Sequence, residues 1–181
     1  MKTLFGLGKV KVSLNDLPER LATVALRQLE NPSEDDPMWK EAKQVGVDRK
    51  QFTFEVIALA TFTMTQVINR ERLEGRMKPE TAAAIIERLM QVIRRRLHDT
   101  TSLDLLLLGL GPEEAFELMM DRCERYAQPA WEHGSITDVR RFFAEFCGFP
   151  NSDALERIGW ILFQFRGDEM GEYLRRRVKI I

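Results

Sequence analysis

The feature that most constrains the fold of this chain is an apolar stretch, Phe52–Ile68, in which Glu55 is the single charged residue. Exposing such a stretch to water would cost about 25 cal/mol for every Å² of apolar surface. A membrane-spanning helix needs about 20 predominantly apolar residues. This stretch is shorter, contains four threonines and has charged residues at both ends. It therefore predicts a buried helix, over about residues 48–74, at the centre of the protein.

The composition is that of an ordinary soluble domain. Of the 181 residues, 44% are hydrophobic and 30% are charged, which is enough apolar material for one core and excludes a wholly disordered chain. The formal net charge of −1 provides no overall attraction for nucleic acid or anionic lipid. The chain shows no secretory signal pattern and has two cysteines, Cys123 and Cys147. We therefore expect a cytoplasmic protein whose thiols are reduced and buried on apolar helix faces.

Helical periodicity dominates the rest of the sequence. From Pro79 onward, apolar residues recur at the i, i+3, i+4, i+7 spacing of a helix with one buried face. Similar patterns predict further helices over residues 16–30, 38–45, 105–108, 112–127, 137–147, 152–165 and 169–177. The sequence thus predicts an all-α, single-domain bundle of about seven to nine helices over residues 1–181, with a weak subdivision near 99–111.

Both ends of the sequence are basic and prone to extended structure. Residues 9–12 alternate lysine with valine, and residues 177–181 combine basic with β-branched side chains. Such termini pair with each other, pair with a second chain, or fray. The sequence leaves these three outcomes open.

No motif for catalysis or cofactor binding is present. A nucleophile elbow, a Walker loop and a dinucleotide-binding loop all fail to match. The two histidines, His98 and His133, do not form the Glu-x-x-His pattern of a di-metal bundle site, and the acidic run at residues 34–36 lacks the alternating ligands of a calcium loop. The sequence therefore favours a protein without enzymatic activity, cofactor or metal, although catalytic residues dispersed along the chain would not form such motifs.

Two charged residues lie where the pattern calls for apolar ones. Glu55 interrupts the central helix, and Arg96 projects from the apolar face of the helix that follows Pro79. Because an unpaired buried ion costs several kcal/mol, we expect each to meet a partner across a helix interface, and the other residue is one such partner. Alternatively, Arg96 extends its guanidinium group to water, or the charged groups line a ligand pocket with aromatic residues such as Phe146 and Trp160.

Arginines occur in three runs, which would form an anion-binding surface if the runs met in space. The candidate residues are Arg94, Arg95, Arg140, Arg141, Arg175 and Arg176. Consecutive helical residues point in different directions, so a single run is a solvated face with local ion pairs. A leucine-rich run at residues 103–110 has the form of a short docking motif, for which packing onto the core is the alternative.

Taken together, these patterns favour a non-enzymatic protein that acts as an interaction, adaptor or regulatory subunit, through a protein partner or self-association. The first alternative is a small-molecule binding domain with an apolar pocket lined by aromatic residues. The second is a nucleic-acid-associated protein that uses the arginine clusters, which the lack of interleaved aromatic residues supports less well. We expect neither membrane nor metal binding.

Overall fold

The computed structural model is an all-α bundle, as the sequence predicts. It describes residues 10–13, 15–30, 35–99, 108–132 and 137–180. The helices of these residues are α1 (Asp16–Glu30), α2 (Pro37–Val45), α3 (Arg49–Leu73), α4 (Pro79–Asp99), α5 (Pro112–Glu132), α6 (Thr137–Phe146) and α7 (Asp153–Glu172). Two short strands, β1 (Val10–Val12) and β2 (Val178–Ile180), complete the described chain. Most of the predicted helix at 105–108 and of the leucine-rich run lies outside the described residues, as does His133.

The central helix α3 is enclosed by the rest of the bundle. It contacts each of the six other helices of the described chain, most extensively α7 and α5. Every residue from Phe52 to Met64 is buried. By length and composition α3 would suit a membrane span, and 83% of its most apolar 18-residue window is buried inside this fold. The predicted long apolar helix at the centre of the bundle is thus confirmed.

The helix α3 is apolar on every side because it separates two hydrophobic clusters. The first core cluster receives Phe54 and Ile57 from α3 and packs them against α1 and α4. The second core cluster receives Leu59 and Phe62 from α3 and packs them against α2, α5, α6 and α7. A helix with core on opposite sides has no face left for water, so the usual amphipathic stripe is missing.

Side-chain caps set the starts of two helices. Asp48 accepts hydrogen bonds from the backbone N–H groups of Lys50, at 2.9 Å, and Gln51, at 3.3 Å. Asp36 does the same for Met38 at 2.8 Å, so α2 begins at the proline that follows it. Each cap satisfies N–H groups that have no partner inside the helix. The predicted start of the central helix at residue 48 is confirmed.

The C-terminal helices differ from the prediction. We expected separate helices over 152–165 and 169–177, whereas α7 runs without a break and is followed by a π-helical turn, Tyr173–Arg177. Gly167 continues α7 although glycine costs about 1 kcal/mol in a helix interior. A Cβ placed there would lie 3.5 Å from Thr63 Cγ2, so α7 passes close to α3 at this residue. Packing along α3 therefore outweighs local propensity.

The two basic termini pair with each other. β1 and β2 form a two-stranded parallel sheet, in which Val10 lies opposite Val178 and Lys11 opposite Lys179. Val12 is buried in the first core cluster. Of the three outcomes left open by the sequence, the structure has the intramolecular one.

Candidate functional site

The most unusual group in the described part of the protein is the carboxyl group of Glu55, which is 0% exposed in the second turn of α3. Its Oε1 atom accepts hydrogen bonds from Gln51 Nε2, at 2.9 Å, and from Arg122 Nε, at 3.2 Å. Gln51 lies one turn earlier on α3, whereas Arg122 comes from α5. The expectation that Glu55 meets a partner across a helix interface is confirmed, but the partner is Arg122 and not Arg96.

A third helix, α6, completes the surroundings of this carboxyl group. Gln51 Nε2 also donates to the backbone oxygen of Phe146 at 2.9 Å. The guanidinium carbon of Arg122 lies 4.1 Å from the centre of the Phe146 ring, which is the geometry of a cation–π contact. Tyr126, one turn after Arg122 on α5, meets the same ring edge-on at 5.3 Å. We call these five residues, Gln51, Glu55, Arg122, Tyr126 and Phe146, the Glu55 cluster.

Two polar atoms of the Glu55 cluster lack a hydrogen-bond partner within the described chain. One is Glu55 Oε2, and the other is the hydroxyl of Tyr126. Both residues are fully buried. The Tyr126 ring stacks on Phe62 at 5.5 Å, so its position is set by the second core cluster. Leaving a buried polar group unsatisfied costs about 1–3 kcal/mol, so these two atoms need a physical explanation.

Burial also controls the protonation of this region. Removal from water raises the pKa of Glu55 from 4.5 to about 7, and the positive charge of Arg122 only partly opposes this. The pKa of the Tyr126 hydroxyl is raised well above its ordinary value, first by burial and then by the charge of Glu55. Glu55 is therefore the group of this cluster that exchanges a proton near neutral pH.

The two cysteines lie close to the same region and are protonated at neutral pH. Burial raises the pKa of Cys123 to about 12, and its thiol lies 3.6 Å from the backbone oxygen of Ala58, to which it donates. Burial raises the pKa of Cys147 as well. Cys147 is buried as expected, and Cys123 is half-buried. Both thiols are therefore poor nucleophiles. In the part of the chain that the structure describes, no group of three or more His, Cys, Asp or Glu side chains is placed to hold a metal ion.

The other residues predicted for a polar pocket lie elsewhere. Arg96 is 29% exposed and donates from Nη2 to Glu19 Oε2, at 3.2 Å, and to Thr23 Oγ1, at 2.9 Å. It therefore lies between α4 and α1, with its charged end near water. Trp160, on α7, has the guanidinium carbon of Arg140 5.7 Å from its ring centre. Of the four predicted pocket residues, the structure brings together Glu55 and Phe146.

The predicted arginine surface is divided among three helix junctions. Arg94 and Arg95 pair with Glu113 of α5 and Glu19 of α1, so they bridge α4 to its neighbours. Arg140 lies over Trp160, and Arg141 pairs with Asp138 on its own helix at 3.6 Å. Arg175 pairs with Glu71 at the end of α3, at 3.2 Å. The side chain of Arg176 lies outside the described residues.

The outer face of α7 carries large apolar residues in water. Ile161 is 45% exposed and Phe165 is 59% exposed, one turn apart. Arg157 and Glu169 continue the same i+4 row at either end and are also exposed. We call these four residues the α7 stripe. The sequence carried the i+4 spacing that identifies the stripe, but its exposure depends on which side of α7 faces α3.

Comparisons with protein-family models, with curated proteins and with solved structures produced no match to this chain. Because a helical bundle supports many unrelated functions, function must be argued from the sites themselves.

Proposed function

We propose that the protein is a non-enzymatic cytoplasmic helical protein that acts as an interaction or regulatory subunit, and that the α7 stripe is its docking surface. The observation that carries this proposal is the exposure of Ile161 and Phe165 side by side, on a helix whose other side is built into the core. Exposed apolar side chains that lie in contact with each other are typical of interaction sites, whereas isolated ones need no explanation.

The order of residues along the α7 stripe fits a second copy of the same chain. The stripe reads basic, apolar, apolar, acidic from Arg157 to Glu169. A two-fold axis beside residue 163 would place Ile161 opposite the second copy's Phe165, and Arg157 opposite its Glu169. Such an interface is isologous, since each patch meets its own copy, and two-fold dimers are the commonest soluble oligomers.

Helix-packing geometry allows this arrangement. Residues four apart form a ridge inclined to the helix axis, and two such ridges pack together at a crossing angle of about −50°. In that packing, the two α7 stripes run antiparallel and side by side, so their apolar centres meet and the basic end of each lies beside the acidic end of the other. Arg157 already contacts Glu41 of α2, so its guanidinium group is held near the stripe before association.

The experiment is the measurement of oligomeric state across a concentration series by sedimentation velocity. Phe165→Ser should weaken association at least tenfold, because it removes the largest exposed apolar group of the stripe. Leu73→Ser is the matched control, since Leu73 is 77% exposed but lies at the end of α3. A wild-type protein that stays monomeric throughout, or equal loss in both variants, would refute the second copy as partner.

Charge exchange gives an independent check on the proposed register. Arg157→Glu places two glutamates together and should weaken association. Adding Glu169→Arg to the same chain restores opposite charges at both ends of the interface and should recover most of the lost affinity. Failure of the double variant to recover would place Arg157 and Glu169 outside a common interface.

A second candidate function, binding of a small molecule, is favoured by the two unpartnered polar atoms of the Glu55 cluster. An acceptor at Glu55 Oε2 and a donor at the Tyr126 hydroxyl suit a small polar ligand that hydrogen-bonds to both. Native mass spectrometry before and after denaturation tests this candidate. A bound mass that Tyr126→Phe removes would support it, whereas a ligand-free wild-type protein would contradict it.

A further inference from the structure

The helices α3 and α7 run in the same direction and end side by side. Four contacts along them show this order: Phe62 with Phe163, Thr63 with Gly167, Arg70 with Gly171, and Glu71 with Arg175. Because the last carbonyl groups of a helix carry partial negative charge, two negative helix ends lie together. Basic side chains are therefore expected beside these helix ends. Positive charge beyond that of the helix ends and the nearby glutamates would need another explanation.

The sequence around this junction carries more positive charge than the helix ends can neutralise. Residues 70–76 and 171–179 contain the basic residues Arg70, Arg72, Arg76, Arg175, Arg176, Arg177 and Lys179 and the acidic residues Glu71, Glu74 and Glu172. Two helix ends together are equivalent to about one negative charge. Counted by sequence alone, the two segments are therefore net positive, and the arginines whose side chains the structure describes here are Arg70, Arg72, Arg76 and Arg175.

The acidic partner at the centre of the junction is already engaged by two arginines. Glu71 is buried, and it accepts from Arg76 Nε, at 2.6 Å, and Nη2, at 3.0 Å, and from Arg175 Nη1, at 3.2 Å. The hydrogen bonds from Arg76 chiefly hold the pKa of Glu71 below its ordinary value. Arg70 has no carboxylate partner within the described residues, and its Nε atom is buried without a hydrogen bond.

Gly171 brings two of these arginines together. A Cβ atom placed on Gly171 would lie 2.7 Å from Arg70 Nη2 and 3.1 Å from Arg175 Nη1. Both guanidinium groups therefore rest on the bare backbone of α7, and their nearest nitrogens are no more than about 6 Å apart, a distance at which like charges repel. Gly171 has a helical backbone, so the position does not require glycine for its conformation. The missing side chain instead leaves space for the two guanidinium groups.

We infer that Gly171, Arg70 and Arg175 form a binding site for a phosphate group, either free phosphate or the phosphate of a small monoester. We call it the Gly171 cradle. A phosphate dianion placed between the two guanidinium groups would offset their repulsion and accept hydrogen bonds from the N–H groups of both. The phosphate would also be the anionic partner that Arg70 lacks among the described residues. Arg175 keeps Nη2 for the anion while Nη1 stays on Glu71.

The experiment is isothermal titration of the full chain with inorganic phosphate, at constant pH and with ionic strength held constant by sodium chloride. A parallel titration with glycerol phosphate distinguishes free phosphate from a monoester. Gly171→Ala is the diagnostic variant, because a Cβ atom 2.7 Å from Arg70 Nη2 forces that guanidinium group to move and crowds the guanidinium group of Arg175, while alanine favours the helix. Gly167→Ala is the matched control, since its Cβ meets Thr63 at an ordinary contact distance of 3.5 Å. Arg70→Gln removes the unpaired charge itself.

We expect saturable phosphate binding by the wild-type protein and by Gly167→Ala, and at least tenfold weaker binding by Gly171→Ala and Arg70→Gln. Tighter binding of glycerol phosphate than of inorganic phosphate would assign the site to a monoester. The inference fails if the wild-type protein shows no saturable binding of either probe, because the arginines would then only neutralise the glutamates and the helix ends. It also fails if Gly167→Ala loses as much affinity as Gly171→Ala.

Discussion

Replacing Glu55 by glutamine should remove a pH dependence of stability that the wild-type protein owes to one buried carboxyl group. Burial raises the pKa of Glu55 from 4.5 to about 7, against the opposing charge of Arg122. Glutamine has the shape of the protonated carboxyl group and stays neutral at every pH. The variant therefore shows how stable the protein is when residue 55 carries no charge.

The sign follows from where the proton binds more tightly. The folded protein holds the Glu55 proton to a higher pH than the unfolded chain does, so the protonated group's contribution is complete below pH 4.5 and is lost as the pH rises towards 7. The difference between the two pKa values corresponds to about 3 kcal/mol. Relative to wild type, Glu55→Gln should thus gain about 3 kcal/mol in free energy of unfolding between pH 4.5 and pH 8.

Urea denaturation of both proteins at several pH values across this range measures the difference directly. Glu145→Gln is the control, because Glu145 is half-exposed and pairs with Arg125 at 3.4 Å on the surface. This control removes one carboxyl group at the surface instead of the buried one. A difference between Glu55→Gln and wild type that stays constant from pH 4.5 to pH 8 would refute the argument, since it would mean that Glu55 ionises equally easily in both states.

Three further substitutions test the packing around the candidate sites by chemical denaturation. Phe62→Ala should cost about 3–5 kcal/mol, because the ring is 2% exposed and stacks on both Tyr126 and Phe163; a cost below about 1 kcal/mol would contradict an enclosed α3. Tyr126→Phe should leave stability unchanged or raise it by about 1 kcal/mol, because the buried hydroxyl makes no hydrogen bond, and a clear loss would reveal a bound partner. Arg96→Met should change stability by less than about 1 kcal/mol, because its pair with Glu19 is partly exposed, and a severe loss would show a buried pair instead.

The overall fold could be predicted because its signals are local. The apolar stretch of α3 has to be buried wherever it lies in the chain, and Asp48 marks its start through a hydrogen bond to a residue two positions away. The continuity of α7 could not be predicted in the same way. Gly167 lowers helix propensity locally, and the helix continues because α7 packs along α3, which passes close to this residue at Thr63.

In the candidate sites, too, local features could be predicted from the sequence and contacts between distant residues could not. The sequence identified Glu55 as a charge in an apolar environment, but its partner Arg122 lies 67 residues away on α5, where the pattern resembles any exposed arginine. The proposed pairing with Arg96 was wrong because the order of helices around α3 cannot be read from periodicity. The Gly171 cradle was missed for a related reason. A helical glycine acquires meaning only once the parallel packing of α3 and α7 brings Arg70 onto it.

The place of α3 between two hydrophobic clusters has a consequence for folding cooperativity. Both clusters include residues of α3. Neither half of the protein can therefore bury its apolar residues while α3 is frayed. We therefore expect amide protons on both sides of the bundle to exchange through one common opening, with α3 the slowest segment. By the same reasoning, a fragment that ends before α5 would keep α3, but Leu59 and Phe62 would lose the residues of α5, α6 and α7 that cover them. Such a fragment should associate or aggregate rather than fold alone.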